Sequence, residues 1–254
     1  MRLVAIYNIW DDWDWLEIST RKLEKLVDGF IIIASERSNY GELSPIPEKW
    51  RGKIVVREPQ FNHPLNCETD KRNFGLSLAK KENYTHFLSL DSDELYEEEP
   101  FLKAKERFKD PELEGLVCAT QVYFKSPNLT IGLDTTRVPF IHKLTPFTKH
   151  EFNRQYPYAW DGHQIKIDPS RSLNINSGVK WDEIIMHHYS HCRKDYEKKI
   201  RNSTARSNLQ RSSILTSYRQ ASAGKYCDFY RKSLVPATVD FGIHETTDGF
   251  VLKN

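Results

Sequence analysis

The stretch that decides the fold is YTHFLSLDSDELY, residues 84–96. Its first half is a short apolar run without helical spacing, which is typical of a buried strand. The run ends in three carboxylates within four residues, Asp91, Asp93 and Glu94. Ligands of open α/β folds bind at the carboxyl ends of their strands. Two aspartates one residue apart at that edge could hold a divalent cation, and the cation could in turn hold a diphosphate.

The residues before this stretch predict strands that alternate with helices. Short β-rich apolar runs predict strands at residues 3–7, 30–34 and 54–56. Helical spacing of apolar residues predicts helices at residues 16–27 and 66–81. With the strand that ends at the carboxylates, the order is β-α-β-β-α-β. That order predicts an α/β fold with a mostly parallel central sheet flanked by helices.

The second predicted helix contains a glycine that needs an explanation. Asn66 or Thr69 could supply the side chain that caps its first turn. Gly75 lies inside the helix, where glycine costs about 1 kcal/mol relative to alanine. This position therefore predicts either close helix packing or close approach of a ligand.

The second half of the chain has weaker patterns and no internal repeat, low-complexity tract or clear linker. It predicts one α/β domain over residues 1–192, with a basic, largely helical extension over residues 193–254 packed on the same domain. The predicted elements are a helix at 101–108, strands at 115–125, 136–144 and 184–189, and a helix that begins at Arg193.

The charge of the chain is unevenly distributed. The net charge is only +2, yet residues 193–232 contain eleven Lys or Arg against three acidic residues. Such an excess predicts a surface that faces phosphates, an anionic membrane or nucleic acid, or simply a solvated helical face. No nucleic-acid recognition motif accompanies it, so nucleic acid is not an expected partner.

The composition is that of a globular protein, with 254 residues, 39% hydrophobic and 28% charged. The four cysteines are far apart and form no Cys-x-x-Cys pair, so neither a zinc site nor a disulfide framework is indicated. The first apolar run is too short for a signal peptide, and no segment has the length of a membrane span. We therefore expect a cytoplasmic protein whose basic extension would allow peripheral contact with a membrane.

Two neighbouring segments together resemble a known family. The helix segment KRNFGLSLA, residues 71–79, is followed by FLSLDSDE, residues 87–94. This pair is similar to the signature of family 2-type glycosyltransferases with the GT-A fold. The resemblance covers roughly residues 2–100 and is thinner afterwards, where it rests on residues 161–163 and 187–193. It implies a Rossmann-like GT-A sheet and transfer of a sugar, with inversion, from a nucleoside-diphosphate sugar of UDP or GDP type to a hydroxyl of a glycan or glycosylated acceptor.

The resemblance also implies roles for individual residues around the diphosphate. Asp93 would ligate Mn²⁺ or Mg²⁺, Asp91 would reach the ribose or the metal, and a histidine, His188 or else His187 or His163, would add a ligand. The other implied donor-binding residues are Tyr7, Glu36, Lys71, Arg72 and Arg193, with Lys198 or Arg201 as alternatives to Arg193 in a basic clamp.

The sequence departs from the family pattern at two places. After the second strand it has Ser35 and Glu36 in place of the usual acidic residues and Gly-Ser turn, so the contacts to the base, and with them the nucleotide, are not fixed. The usual late acidic motif that carries the catalytic base is also not clear in this sequence. Asp161 is the candidate catalytic base because it follows an aromatic stretch that could form an acceptor platform.

Other functions remain open from the residues alone. Asp-x-Asp after a strand also occurs in haloacid dehalogenase-type phosphatases, although here three strands precede it. A sugar nucleotidyltransferase has a similar topology, but its Gly-rich amino-terminal loop is absent from this sequence. A non-catalytic nucleotide- or glycan-binding module of the same fold is the remaining alternative.

Overall fold

The computed structural model describes residues 1–60, 63–152, 159–160, 163–164, 167–168, 170–175, 177–203, 211–227 and 229–253. In the first half of the chain the elements are β1 Leu3–Ile9, α1 Trp13–Leu23, β2 Gly29–Ala34, β3 Val55–Val56, α2 Pro64–Lys81, β4 His86–Leu90, β5 Glu94–Leu95, α3 Glu98–Glu106 and β6 Gly115–Phe124. In the second half they are β7 Leu129–Lys143, β8 Ala159–Trp160, β9 His163–Gln164, β10 Val179–His191, α4 Tyr196–Asn202, α5 Arg211–Arg219, β11 Tyr226–Cys227, β12 Lys232–Ser233, β13 Val235–Pro236, β14 Ile243–Thr246 and β15 Gly249–Leu252.

A nine-stranded mixed sheet forms the centre of the fold. Its strand order is β3-β2-β1-β4-β7-β6-β10-β5, with β13 paired to β7. The four strands from β3 to β4 are parallel, as are β6 and β10, whereas β7 and β5 pair antiparallel to their neighbours. This confirms the predicted α/β architecture, with helices on a central sheet whose first four strands are parallel.

The sheet is buried on both faces, which explains why its first strands are apolar without alternation. Alternate residues of β1 belong to two different cores. Leu3 and Tyr7 pack in the core that includes Leu16 of α1 and Phe101 of α3. Ile6 packs on the opposite face with residues of α2.

Helix α2 begins earlier than the sequence predicted, and its predicted caps do not cap it. His63 occupies the N-cap position without a side-chain bond, and Pro64 opens the helix. Proline suits this position because its φ is already helical and the missing N–H would have no helical partner. Thr69 lies one turn inside, where its hydroxyl donates to the Leu65 carbonyl at 2.9 Å.

Gly75 is explained by close packing between α2 and the sheet. A Cβ at this position would lie 2.4 Å from Cγ2 of Ile6 and 3.4 Å from Cγ1 of Ile33. Both contacts are to buried side chains of β1 and β2. Of the two predicted explanations, close packing is therefore the one that the structure provides.

We expect Gly75→Ala to destabilise the protein by about 1–3 kcal/mol, because overpacking outweighs the gain in helix propensity. Urea denaturation measures the change. Ser77→Ala on the exposed side of the same helix is the matched control and should be neutral or slightly stabilising. A Gly75→Ala protein as stable as the Ser77→Ala protein would contradict the packing explanation.

The carboxy-terminal extension packs on the rest of the chain, and among its described residues only the first part is helical. Helices α4 and α5 are followed by the short strands β11 to β15. Phe241 and Phe250 pack with Trp15 of α1 and Tyr189 of β10, where the Trp15 and Tyr189 rings stack at 4.7 Å. Within the described part of the chain, no helix combines the length and apolar character needed to cross a membrane.

Candidate functional site

A cleft of about 550 Å³ lies where β1 and β4 end. The end of β1 contributes Asn8 and Ile9, and the turn after β4 contributes Asp91 and Asp93. His188 of β10 lines the same cleft. The structure therefore places the predicted acidic residues at the carboxyl edge of the sheet, as the apolar run before them indicated.

Asp93 lies at the centre of the described site and is only 1% exposed. Its Oδ2 accepts a short bond from Arg193, and Nζ of Lys199 lies 3.9 Å away. Its Oδ1 is buried without a hydrogen-bond partner and faces Nε2 of His188 at 3.7 Å. An unsatisfied buried acceptor is rare and costly, so this oxygen is the atom most suited to a ligand.

Asp91 and Glu94 share a single buried arginine, Arg171. Its guanidinium donates to Oδ2 of Asp91 at 2.7 Å and to Oε2 of Glu94 at 2.9 Å, with a second, shorter bond to Glu94 Oε1. Arg72 donates to the other Asp91 oxygen at 2.9 Å. Both oxygens of Glu94 are thus engaged inside the protein, as its complete burial requires.

The pKa values of these carboxyl groups differ because burial and arginines oppose each other. Burial would raise the pKa of Asp93, but Arg193, His188 and Lys199 lower it to about 2. For Asp91, burial is likewise outweighed by the two arginines, and its pKa lies well below the usual range. Burial raises the pKa of Glu94 to about 7 despite Arg171.

Positive and negative side chains nearly balance at this centre. Arg193 also pairs with Asp12 at 2.9 Å, and burial raises the Asp12 pKa to about 6. Asp168 lies 3.8 Å from Arg171, so five carboxyl groups face three arginines and one lysine. A diphosphate that entered would add uncompensated negative charge, so its binding calls for a further cation. The five acids are Asp12, Asp91, Asp93, Glu94 and Asp168, and the four bases are Arg72, Arg171, Arg193 and Lys199.

The two adjacent histidines of β10 face different surroundings. His188 points towards Asp93 and is about one quarter exposed. His187 is buried, with Nδ1 bonded to the Tyr123 hydroxyl at 2.8 Å and Nε2 3.4 Å from Glu97. This opposition follows from the alternation of side chains along a strand. Of this pair, the structure brings His188 to the acidic site.

The described residues offer a ligand set that fits a divalent cation. Ligand atoms of Asp93, Glu94 and His188 all lie within 4.8 Å of one another. Two atoms bound at about 2.1 Å to one ion lie roughly 3 to 3.7 Å apart, which matches the distance between Asp93 Oδ1 and His188 Nε2. Carboxylate suits Mn²⁺ well and imidazole suits it less but acceptably. Glu94 is a weaker candidate ligand than Asp93 or His188, because both of its carboxylate oxygens already accept bonds from Arg171.

The predicted donor-binding residues do not all line the cleft. Lys71 does, and its buried ammonium donates to the Ser35 hydroxyl at 2.8 Å. Tyr7 is completely buried in the core, where its hydroxyl bonds to Ser19 at 2.7 Å. Glu36 is exposed outside the cleft, and its backbone N–H donates to Glu58 at 2.8 Å. Tyr7 therefore does not lie at a base-binding position. Glu36 touches the cleft only through its backbone, where its carbonyl accepts a bond from the indole of Trp10, a lining residue, at 3.4 Å.

The predicted basic clamp divides into three different positions. Arg193 reaches the centre as described above. Lys198 pairs with Asp11 at 2.8 Å and lies over the Trp10 ring at 4.9 Å. Arg201 pairs with Glu42 at 3.3 Å, away from Asp93. Lys199, which the predicted roles did not include, is the residue of α4 that approaches Asp93.

Two further predicted residues have side chains outside the described part of the chain. Asp161, the predicted catalytic base, lies outside the described residues. His163 belongs to β9, for which only the backbone is described. The roles of both residues stay predictions.

Besides Lys199, the sequence analysis did not identify two other residues of the site, Arg171 and Asp12. Arg171 lies in an irregular segment without hydrophobic periodicity, so no pattern singled it out. Asp12 precedes α1 with a φ of 69°, a left-handed conformation that aspartate tolerates better than most residues. The acidic turn after β1 was a signal for Asp12, but its distant partner Arg193 was not visible in the sequence.

Fold and site together define an α/β protein with a carboxylate- and arginine-lined cleft at the carboxyl edge of a mixed sheet. No family model and no curated protein matches the chain. Among solved structures it is similar to Staphylococcus aureus TarS 1–349, with 13% identity and a TM-score of 0.42, over 79% of this chain and 64% of that chain.

The same protein in complex with UDP-GlcNAc gives 14% identity and a TM-score of 0.37, over 79% of this chain and 65% of that one. A CMP:2-keto-3-deoxy-manno-octonic acid synthetase with CTP gives 9% identity and a TM-score of 0.31, over 56% and 71%. This chain thus spans less than two thirds of the length of the TarS structures. Scores this low leave the function to be inferred from the residues of the site.

Proposed function

We propose that the protein is a glycosyltransferase that moves a sugar from a nucleoside-diphosphate sugar, of UDP or GDP type, to an acceptor hydroxyl with the help of Mn²⁺ or Mg²⁺. One observation carries the proposal: the buried, unpartnered Oδ1 of Asp93 faces His188 at the carboxyl edge of the sheet. The nearly balanced charge of the surrounding groups supports it, because a diphosphate then needs a cation of its own. The sequence resemblance to family 2-type glycosyltransferases agrees with this chemistry.

The residues of the site would have different roles in binding the leaving diphosphate. Asp93 and His188 would hold the cation, which when bound would neutralise charge on the leaving diphosphate. Arg171 and Arg72 fix Asp91 from two sides, so that its carboxylate stays ionised and oriented. Lys199 is close enough to Asp93 to face the phosphates as well.

Acceptor activation requires a group outside this centre. The attacking hydroxyl must lose its proton as the new bond forms, which asks for a carboxylate within hydrogen-bond reach. We keep Asp161 as the proposed base. Direct displacement by that hydroxyl would invert the anomeric configuration, as the family resemblance implies.

The basic extension supports a role inside the protein more than one at a membrane. Three cationic side chains of α4 face acidic partners of the same chain, since Lys198, Lys199 and Arg201 lie near Asp11, Asp93 and Glu42. Arg219 of α5 likewise pairs with Glu197. A cytoplasmic location and peripheral membrane contact remain part of the proposal, the latter through other basic residues of the extension.

Binding of nucleotides in the presence of metal tests the proposed function. We expect one of UDP, GDP, CDP or dTDP to raise the melting temperature with Mn²⁺ or Mg²⁺ and not with EDTA. The reason is that the bound cation neutralises the negative charge of the diphosphate. The matching sugar nucleotide should then be slowly hydrolysed. A panel in which no nucleotide stabilises the protein with metal would contradict the proposal. Pyrophosphate release from a nucleoside triphosphate and a sugar 1-phosphate would instead identify a nucleotidyltransferase.

A further inference from the structure

One end of the cleft is lined by residues that have no role in the proposed binding of the donor. Beyond His188 it is lined by apolar and aromatic side chains, with two polar residues of β7 at its edge. We call this part the aromatic end. It consists of Val122, His191, Ile200, Phe229 and Tyr230, together with Asp134 and Thr136.

The aromatic end begins directly beside the proposed cation site. Val122 of β6 is the register partner of His188 in β10, so the two residues lie side by side on neighbouring strands. His191 lies further along the same strand as His188, and its ring contacts the rings of Phe124 and Tyr230. A molecule in this end would therefore lie next to the group transferred from the diphosphate.

The wall of the aromatic end is held by hydrogen bonds as well as by packing. The two ring nitrogens of His191 bond the hydroxyls of Tyr196 and Tyr230, each at 2.5 Å. Burial keeps the pKa of His191 well below its usual value, so the imidazole is neutral. The Phe229 and Tyr230 rings meet edge to face at 4.9 Å. This wall is built largely from the carboxy-terminal extension, which gives those residues a role in the site.

The charge of the aromatic end selects against anionic ligands. Of the seven residues named above, Asp134 is the one with an acidic side chain, and among the described residues no cationic group lies within 4.0 Å of that carboxylate. Two basic side chains that reach this part of β7 bond to backbone carbonyls instead: Arg137 donates to the Asp134 carbonyl, and Lys232 donates to the Leu133 carbonyl, both at 2.5 Å. A phosphate or carboxylate on the ligand would meet uncompensated repulsion here.

We propose that the aromatic end is the acceptor subsite and that its ligand is an uncharged sugar. Aromatic rings cover the apolar C–H faces of a sugar, while Asp134 and the Thr136 hydroxyl can bond its hydroxyl groups. The cluster offers this combination beside the proposed cation site. The inference rests on the proposed function, because it names the acceptor of that same reaction.

The test uses the full chain loaded with the metal and nucleotide that the stability screen identifies. Saturation-transfer NMR measures binding of maltose, cellobiose and lactose, and of an oligogalacturonate as the anionic probe. We expect at least one neutral disaccharide to bind and the oligogalacturonate to bind at least tenfold more weakly. Better binding of the oligogalacturonate, or no binding of any neutral disaccharide to the nucleotide-loaded protein, would overturn the inference.

Variants then place the sugar in the aromatic end. Tyr230→Ala should weaken disaccharide binding about tenfold or more, because the ring face is lost, with nucleotide affinity unchanged within twofold. Tyr230→Phe keeps the ring and should retain most of the binding, which separates loss of the face from loss of the His191 bond. The matched control is Tyr226→Ala in the same extension, where the side chain is 56% exposed outside the cleft.

The outcomes separate this inference from the proposed function. Equal loss of nucleotide and sugar binding in a folded Tyr230→Ala protein, or no loss of either, would overturn the acceptor subsite alone. Failure of every nucleotide to bind with metal would overturn the proposed function and the inference with it. The melting temperature of each variant shows that it is folded.

Discussion

Asp93→Asn is expected to abolish metal-dependent nucleotide binding and to lower transfer by about 10²–10³-fold. The substitution keeps the shape of the side chain but removes the negative charge that would hold the cation. It also places a neutral amide beside His188, at the position where Oδ1 of Asp93 in the natural chain is buried without a hydrogen-bond partner. The primary measurement is the rise in melting temperature caused by Mn²⁺ plus nucleotide, which does not depend on an active assay.

The control for this variant must be the same Asp→Asn substitution at a position outside the cleft. Asp110→Asn also removes one carboxylate, but Asp110 is paired with Lys180 on the exposed surface. It should leave the metal-dependent stabilisation unchanged. Arg193 keeps Asp12 as a partner at 2.9 Å in the Asp93→Asn protein, so the variant should still fold. Retained stabilisation by metal and nucleotide in folded Asp93→Asn would remove Asp93 from the cation site.

The position of the acidic residues at the carboxyl edge of the sheet could be predicted from the sequence, because it depends on a pattern of neighbouring residues. An apolar run that ends in carboxylates places those carboxylates at the end of a buried strand, and the structure has this arrangement at Asp91 and Asp93. The preceding strands and helices are equally local patterns. Their parallel order follows from crossover connections, which contain helix α1 between β1 and β2 and helix α2 between β3 and β4.

For Tyr7, the role implied by the family resemblance conflicts with the alternation of side chains along its strand. Side chains alternate along a strand, so Leu3, Ala5 and Tyr7 share one face of β1. Leu3 and Ala5 are apolar, which already indicates a core face, and all three pack in one buried cluster. The period of the strand predicts the observed position of Tyr7 better than the role transferred from the family.

Arg171 could not have been predicted in the same way, because its importance depends on contacts distant in sequence. It lies 77 residues from Glu94 and 80 from Asp91, within a segment that has no helical or strand pattern. Such a residue becomes visible only when the chain is folded. The same holds for Lys199, whose neighbours in sequence, Lys198 and Arg201, face other acidic groups.

Replacing Arg171 with methionine is expected to cost about 3–5 kcal/mol of stability, the largest effect on folding that the site predicts. Methionine fills similar volume but leaves Glu94, which is completely buried, without its counter-charge beside Asp91. Urea denaturation at pH 8 measures the loss. Arg57→Met is the matched control, because its pair with Asp70 is partly exposed and should be worth about 0–1 kcal/mol.

The pH dependence of the Arg171→Met protein distinguishes a buried charge from a simple cavity. Burial already raises the pKa of Glu94 to about 7, and loss of Arg171 removes the main group that lowers it. A carboxyl group whose pKa is higher in the folded than in the unfolded state takes up a proton on folding, so its penalty shrinks as the pH falls. The destabilisation relative to the natural chain should therefore be smaller at pH 5 than at pH 8, and Glu94→Gln in the same protein should recover part of it. A destabilisation that is equal at both pH values and unchanged by Glu94→Gln would mean that Arg171 contributes packing alone, and that the acidic residues of the cleft do not depend on it for their charge.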